Sequence, residues 1–315
     1  MRNRFWIAAS ALLLAQCALR PPGPEAFSFG VFGDAPYKER EIPAFMETIE
    51  HMNAAPLAFV VHIGDMKAGG NSPCTDALFH DRKARFDTST HPFVLTPGDN
   101  DWVDCRRASN GHADPIERLD AIRRIFFSDG LSLGIARMPI EPQSQCLDAK
   151  SPCGCGPFPE NRMWERGSVV FATVNVQGSN NNRGFDAAND READCRDRAN
   201  LAWLAEAERR AGNARALAVF TQADLWVEDR KSYAPYVNAL VDIAARLRKP
   251  VLFIHGDTHR FRNDTPFTAR DGSPVTNPSR LEVYGSPFVG WVKVDVDVSR
   301  PDVFTVEPSL TALVP

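Results

Sequence analysis

Four short apolar stretches of the chain each end in a Gly-Asp pair, and an aspartate in that place is suited to binding a cation. The aspartates are Asp34, Asp65, Asp99 and Asp257. A glycine lets the backbone turn tightly at the end of a strand, and open α/β sheets bind ligands beyond the carboxyl ends of their strands. Four carboxylates at one such edge repel one another unless a cation lies among them. The pattern predicts a metal site at the ends of four buried strands.

The ligand types in these motifs indicate a divalent ion. Carboxylate oxygens, with an amide oxygen and one clear imidazole, suit Mn, Fe, Zn, Mg or Ca, and they leave the choice among these ions open. The formal net charge is −4 and the arginines are scattered. No basic surface of the kind that binds polyanions is therefore expected, and nucleic-acid binding is not predicted.

The elements that must carry the aspartates alternate between strand and helix. Apolar runs at 27–32 and 57–63 enclose a helical pattern at 39–53, which predicts a right-handed strand-helix-strand unit. Further strands are predicted at 92–96, 168–176 and 216–220, before the fourth Gly-Asp, and at three places in 281–306, with helices at 76–87, 114–127, 187–211 and 236–247. The chain is predicted to be an α/β protein.

The chain is divided by composition into a leader, a tether and one domain. Residues 1–18 have the layout of an export signal, with arginines followed by a short apolar stretch, and 19–26 are predicted to form a tether. One domain is predicted at 27–315, with an irregular excursion rich in Cys, Pro and Gly at about 131–161. Because Leu14-Ala15-Gln16-Cys17 resembles a bacterial lipoprotein box, two outcomes stay open: a membrane anchor on lipidated Cys17, or cleavage nearby. The predicted location is the periplasm or cell envelope.

Six cysteines follow Cys17, and an even number in an exported chain indicates three disulfides. They are Cys74, Cys105, Cys146, Cys153, Cys155 and Cys195. Cys74 and Cys105 flank the second and third Gly-Asp stretches, and we predict that they pair. The sequence does not choose partners for the others. The Cys-Gly-Cys at 153–155 leaves zinc binding open as the alternative to a disulfide-bonded loop.

The order and spacing of these motifs, from Phe29 to about Trp291, resemble those of the calcineurin-like metallophosphoesterases, which include the purple acid phosphatases. The resemblance implies a four-layer α/β/β/α sandwich of two mixed sheets and a centre that holds one or two divalent ions. By position in the family motifs, the metal ligands would be Asp34, Asp65, Asp99, Gln222, Asp257 and His259.

The chain departs from that family where the family has histidine. Pro36, Asn100 and Gln222 stand at three such positions. Asn100 and Asp101 occupy the positions that the resemblance makes catalytic, but an asparagine can donate a hydrogen bond to phosphate and cannot act as a general acid. Tyr37 is a further candidate to give the metal an oxygen ligand.

Two histidines and two arginines have both a structural and a functional interpretation. His62 and His255 each lie just before a Gly-Asp pair. Each is either a packed core histidine or a functional group, and His255 is the stronger candidate for a catalytic role. Arg260 and Arg262 either bind an anionic substrate or are solvated.

The resemblance implies hydrolysis of a phosphate mono- or diester by a metal-activated hydroxide in the cell envelope. Because the general acid is missing, good leaving groups, diesters or anhydrides are the expected substrates. The alternative is a binding or scaffold protein that keeps the fold and has lost hydrolysis with its imidazoles. The clustered carboxylates favour the enzyme, because a protein without a chemical use for them would have little reason to keep charges that reduce its stability. The missing histidines favour the scaffold.

Overall fold

The first sheet combines strands from both ends of the chain. The computed structural model describes residues 26–144, 157–226 and 230–315. Its five strands in these ranges are β1 (Phe27–Phe32), β2 (Val60–His62), β3 (Phe93–Leu95), β11 (Phe288–Val296) and β12 (Phe304–Leu313). The order is β12-β11-β1-β2-β3, with β1, β2 and β3 parallel and the two carboxyl-terminal strands antiparallel. The sheet is therefore mixed, as predicted.

The second sheet contains seven strands of the described chain in the order β4-β5-β6-β7-β8-β10-β9. They are β4 (Glu141–Gln143), β5 (Phe158–Arg166), β6 (Val169–Thr173), β7 (Ala216–Phe220), β8 (Val251–His255), β9 (Arg262–Asp264) and β10 (Pro278–Glu282). Strands β6, β7, β8 and β10 are parallel, and the strands at the two edges are antiparallel. Buried and mainly apolar runs form β6, β7 and β8, because both faces of this part of the sheet are covered.

Three apolar layers hold the two sheets and the helices together. Between the sheets, Phe29 of β1 stacks on Phe59 with ring centroids 5.0 Å apart and meets Phe171 of β6 edge to face at 5.7 Å. The outer helices pack on the other faces: α1 (Ile42–Ala54), α2 (Asp76–Phe86) and α3 (Pro115–Phe126) on the first sheet, and α4 (Ala187–Ala211) and α5 (Arg230–Leu247) on the second. The four-layer α/β/β/α sandwich of two mixed sheets is confirmed.

The excursion predicted at about 131–161 contains regular structure that the sequence pattern did not show. Strand β4 and the start of β5 lie inside it. Glu160 and Asn161 of β5 are polar but buried, since Glu160 pairs with Arg123 of α3 at 2.7 Å and Asn161 donates to Gln143 at 2.7 Å. Hydrophobic periodicity cannot find a strand whose inner face is hydrogen-bonded. The export signal, Cys17, Cys146, Cys153 and Cys155 lie outside the described residues.

Each helix in the described part of the chain is too short or too polar to cross a membrane. The predicted disulfide between Cys74 and Cys105 is present, with the Cα atoms 5.7 Å apart. It joins the loop after β2 to the segment after β3, which are the two segments that follow the second and third Gly-Asp pairs. Cys195 is disulfide-bonded as well.

His62, the last residue of β2, is a packed core histidine that joins two of the aspartate loops. Its Nδ1 accepts a hydrogen bond from the Gly64 amide at 3.2 Å, and its Nε2 donates to the Ala35 carbonyl at 3.1 Å. The ring is therefore neutral with its proton on Nε2. Burial lowers the pKa of His62 to about 4.

We predict that this histidine makes the fold less stable in acid. The unfolded side chain has a pKa of about 6.5, so its stabilising contribution is complete above that pH and is lost as the pH falls toward about 4. In urea unfolding between pH 7 and pH 4.5, the wild type should lose roughly 1 kcal/mol per pH unit more than His62→Gln, which keeps one donor and one acceptor. Parallel pH profiles of the two proteins would show that His62 does not titrate in this way.

Candidate metal centre

The four predicted aspartates converge at one edge of the sandwich. Asp34, Asp65 and Asp99 follow the parallel strands β1, β2 and β3, and Asp257 follows β8 of the opposite sheet. The backbone is left-handed at Asp34 (φ 49°), Asp65 (φ 56°) and Asp257 (φ 79°). A non-glycine residue in that region is strained, and such strain is concentrated at functional sites.

The glycines of the site leave room for the carboxylates. A Cβ on Gly98 would lie 2.0 Å from Asp65 Oδ1, and one on Gly256 would lie 2.0 Å from Asp34 Oδ2. A Cβ on Gly178 would lie 2.7 Å from Asp257 Oδ1 and 3.0 Å from Asp99 Oδ1. In two of the four motifs the glycine thus packs against the aspartate of another motif, so a larger residue at Gly98 or Gly256 would displace a carboxylate.

Burial and repulsion from neighbouring carboxylates raise the pKa values of Asp34, Asp65 and Asp257. The pKa of Asp34 is raised well above its usual range by burial and then by Asp257, and that of Asp65 by burial and then by Asp99. Burial, followed by Asp99, raises the pKa of Asp257 to about 7. Lys67 is buried nearby, and its Nζ donates to the carbonyls of Ala68 and Asn100. A cluster of this kind is stabilised either by protons or by a cation.

A tyrosine hydroxyl joins three of the site residues. Tyr37 lies 2.9 Å from Asp65 Oδ2 and 3.0 Å from His259 Nε2, and Asn100 Nδ2 donates to it at 3.0 Å. The Nδ1 of His259 donates to the Ser286 carbonyl at 2.7 Å, so Nε2 presents a lone pair. One hydroxyl proton therefore faces two acceptors. A set of atoms with more lone pairs than protons is suited to binding a cation. The hydrogen bond to Ser286 fixes the orientation of the His259 ring, as a second hydrogen bond commonly does for histidines that bind metals in proteins.

Asp101 holds together the loops that follow β2 and β3, next to the residues that surround the Tyr37 hydroxyl. Its two carboxylate oxygens accept hydrogen bonds from the amides of Gly98 at 2.8 Å, Asp65 at 3.0 Å and Met66 at 2.9 Å. Burial raises the pKa of Asp101 to about 6, although these bonds and Lys67 oppose the rise. The backbone amides occupy both oxygens, so the structure gives Asp101 a positioning role, and its catalytic role stays a prediction.

Gln222, predicted as a ligand, presents its amide nitrogen to the aspartates. Its Oε1 accepts from the Gly178 amide at 2.8 Å, and its Nε2 donates to Asp257 Oδ1 at 3.2 Å. Because the backbone donor fixes which end of the amide is the oxygen, Gln222 orients Asp257 in this arrangement. To bind a metal through oxygen it would have to release Gly178. Its ligand role also stays a prediction.

The sequence at 178–182 predicts a turn, but the contact of that turn with Asp99 was missed. Ser179 to Asn182 have φ values of 49°, 56°, 53° and 64°, a run of left-handed residues that places Ser179 Oγ 2.6 Å from Asp99 Oδ2 and 2.9 Å from Asp104 Oδ1. Arg107 also contacts Asp104, with Nη1 and Oδ2 2.7 Å apart. The sequence signal was the run of three asparagines, since asparagine tolerates the left-handed conformation better than other non-glycine residues do. It indicated a turn, but not the partner.

His255 belongs to a second cluster of buried side chains. One ring nitrogen of His255 and one carboxylate oxygen each from Asp224 and Glu282 lie within 4.8 Å of one another. The Asp224 amide donates to Asp257 Oδ2 at 3.2 Å, so the second cluster adjoins the first. Neither Asp224 nor Glu282 was singled out from the sequence, because neither stands in a Gly-Asp pair. The predicted catalytic role of His255 is not tested by this placement.

No protein-family model and no curated protein matches the chain. Several solved structures are similar to it, among them GAP50 and a phosphatase. GAP50, the anchor in the inner membrane complex of Plasmodium, is 12% identical and aligns over 90% of this chain and 89% of that chain, with a TM-score of 0.49. A novel phosphatase from Mycoplasma pneumoniae is 11% identical and aligns over 90% and 93%, with a TM-score of 0.46. The similarity concerns the fold, and the choice between enzyme and scaffold depends on the site itself.

Proposed function

We propose that the protein is a metal-dependent hydrolase of phosphate mono- or diesters. The observation that carries the proposal is the convergence of four aspartates with the lone pair of His259 Nε2. Asp34, Asp65 and Asp99 are buried, and Asp257 is partly buried. Such a group of acceptors is costly to bury without positive charge, and a divalent ion supplies that charge where a phosphate group also needs it. The residues proposed to hold one or two ions are Asp34, Asp65, Asp99, Asp257 and His259, with Tyr37 as an added oxygen ligand and Gln222 as a ligand or as the residue that orients Asp257.

The ligand set bears on the identity of the ion. Carboxylate and phenol oxygens outnumber the single imidazole, so the donor set is harder than a site built from histidines. Mn, Fe, Mg and Ca suit such oxygens, and Zn is compatible with the imidazole and carboxylates. When bound, the ions would supply Lewis acidity and charge neutralisation for phosphoryl transfer.

The side chains of the protein have separate roles in this proposal. Asn100 presents its Nδ2 amide beside Tyr37 and is placed to donate a hydrogen bond to a phosphate oxygen, while its own backbone amide donates to Asp65 Oδ1 at 3.0 Å. Lys67 holds the Asn100 carbonyl at 2.8 Å. Because an amide cannot give a proton to the leaving group, the leaving group must depart as an anion. Diesters and esters of acidic alcohols or phenols are therefore the proposed substrates.

The place of action proposed is the cell envelope. The export-signal pattern at 1–18 and the disulfide between Cys74 and Cys105 support it, since disulfides persist in oxidising compartments. Attachment to the membrane through Cys17 is the accompanying proposal, and it would bring the hydrolase to substrates at the membrane surface.

A second candidate function is a scaffold or binding protein with the same fold. The observation that favours it is the Tyr37 hydroxyl, which forms hydrogen bonds with Asp65, His259 and Asn100 and so joins three of the site residues. The replacement of family histidines at Pro36, Asn100 and Gln222 points the same way. In that case Tyr37 substitutes for the metal instead of binding it.

We predict that Asp65→Asn lowers metal content and hydrolysis together. Asp65 contacts both Tyr37 and Asn100, so the loss of its charge should weaken binding of Mn²⁺ by roughly 100-fold and reduce hydrolysis of bis(4-nitrophenyl) phosphate to a similar extent. Metal content by mass spectrometry and the rate of nitrophenol release are the measurements. The matched control is Asp120→Asn, which removes a charge from the exposed surface of α3. Equal metal content and rate in the wild type and Asp65→Asn would refute the assignment.

Tyr37→Phe separates the two candidate functions. If the hydroxyl binds the ion or positions its ligands, removal should weaken Mn²⁺ binding by roughly tenfold in calorimetry. If the hydroxyl substitutes for the ion, its removal frees Asp65 and His259, and Mn²⁺ binding should become tighter. Thermal unfolding without metal checks that the variant is folded. Tighter binding in Tyr37→Phe would overturn the enzyme proposal in favour of the scaffold.

A further inference from the structure

The cluster of Asp224, His255 and Glu282 lies at the ends of three neighbouring strands of the second sheet. His255 and Glu282 end β8 and β10, and Asp224 lies beyond the end of β7. All three side chains are buried. Their ligand atoms converge within 4.8 Å, so one ion could reach all of them. None of the three is a proposed ligand of the four-aspartate centre.

The hydrogen bonding of His255 leaves one ring nitrogen for a ligand. Its Nδ1 donates to the Gly256 carbonyl at 2.8 Å, so Nε2 carries a lone pair. That Nε2 is fully buried and has no hydrogen-bond partner among the described residues. A buried acceptor without a partner costs about 1–3 kcal/mol, and a metal ion satisfies it.

Two arginines provide the positive charge now present at the cluster. Arg280 lies 3.4 Å from Asp224 Oδ1 but is paired more closely with Asp264, at 2.6 Å. Arg262 places Nε 2.6 Å from Glu282 Oε2 and Nη2 3.2 Å from Asp224 Oδ2. The contact with Glu282 is an ion pair without the alignment of a hydrogen bond, since both atoms remain without a hydrogen-bond partner. Arg262 therefore neutralises the carboxylates and donates a hydrogen bond to Asp224, but among the described residues Glu282 Oε2 and His255 Nε2 have no hydrogen-bond partner.

Arg262 also forms the outer cover of the cluster. Its side chain is 31% exposed, whereas the carboxylate side chains of Asp224 and Glu282 are inaccessible, at 0%. Its Nη2 donates to Thr258 Oγ1 at 2.8 Å, and Thr258 in turn bonds to Glu282. Withdrawal of one guanidinium into solvent would expose two carboxylates and one imidazole on the same side.

We propose that Asp224, His255 and Glu282 form a separate binding site for a transition-metal ion of the Zn²⁺ class, and that Arg262 covers this site and is displaced when the ion binds. One imidazole and two carboxylates make a three-ligand set of the kind that leaves a further coordination position open. In this assignment His255 is a metal ligand and not a catalytic group of the four-aspartate centre. The site does not require that centre to be active.

The test compares Zn²⁺ binding in Asp65→Asn and Asp65→Asn/Arg262→Gln, so that the first centre is impaired in both proteins. Long-range ¹H–¹⁵N spectra of the histidines should show the His255 Nε2 signal shift with Zn²⁺, with at least tenfold tighter binding when Arg262 is replaced. Co²⁺ should give visible absorption with the same order of affinities. Arg260→Gln in place of Arg262→Gln is the control, because Arg260 is exposed and contacts Glu282 only through its backbone amide.

The same spectra also define the results that would contradict the proposal. A His255 signal that stays unchanged at millimolar Zn²⁺ in both proteins, with folded spectra otherwise, would overturn the proposal. Equal affinities with and without Arg262 would show that the arginine is not displaced. Because the first centre is impaired in every protein used, absence of phosphoesterase activity in the wild type would not affect either outcome.

Discussion

Mutual repulsion among buried carboxylates is the constraint on which the rest of this structure depends. Asp34, Asp65, Asp99 and Asp257 are delivered by loops from both sheets, and two unit charges 4 Å apart repel by about 4 kcal/mol at the effective dielectric near a protein surface. The fold holds them together at that cost. The left-handed backbone at three of these aspartates and in the turn that begins at Ser179 adds about 1–2 kcal/mol for each residue. The site is therefore destabilising for the protein alone, which is typical of sites made for a ligand.

Several contacts in the surrounding structure hold these carboxylates in place. Asp101 binds three backbone amides, the disulfide of Cys74 and Cys105 joins the two loops that follow β2 and β3, and Gln222 orients Asp257. Each of these contacts stabilises a loop rather than a strand, because the strands are already held by the apolar layer between the sheets. The second cluster around His255 is held differently, since arginine supplies its positive charge. The two neighbouring groups of carboxylates are thus held in place by different contacts.

Much of the fold could be predicted from the sequence because its central parallel strands are buried on both faces. The apolar runs that end at Asp34, Asp65 and Asp257 placed β1, β2 and β8, and the Gly-Asp pairs marked where each strand stops. The predictions missed β4, β5 and β9, since these strands carry polar residues at buried or hydrogen-bonded positions. The convergence of the aspartates was also predictable, because parallel strands end at one edge. Ser179, Asp104, Asp224 and Glu282 were not, since their contacts depend on side-chain packing that has no sequence period.

The most direct test of the account is anomalous scattering from crystals of the full chain grown with Mn²⁺. The account predicts at least one manganese peak bounded by the carboxylates of Asp34, Asp65 and Asp257 and by Nε2 of His259. It would be contradicted by well-ordered side chains without a peak, with the Tyr37 hydroxyl still bonded to Asp65 and His259. In that case the buried aspartates would be protonated, and the protein would keep the sandwich without its metal chemistry.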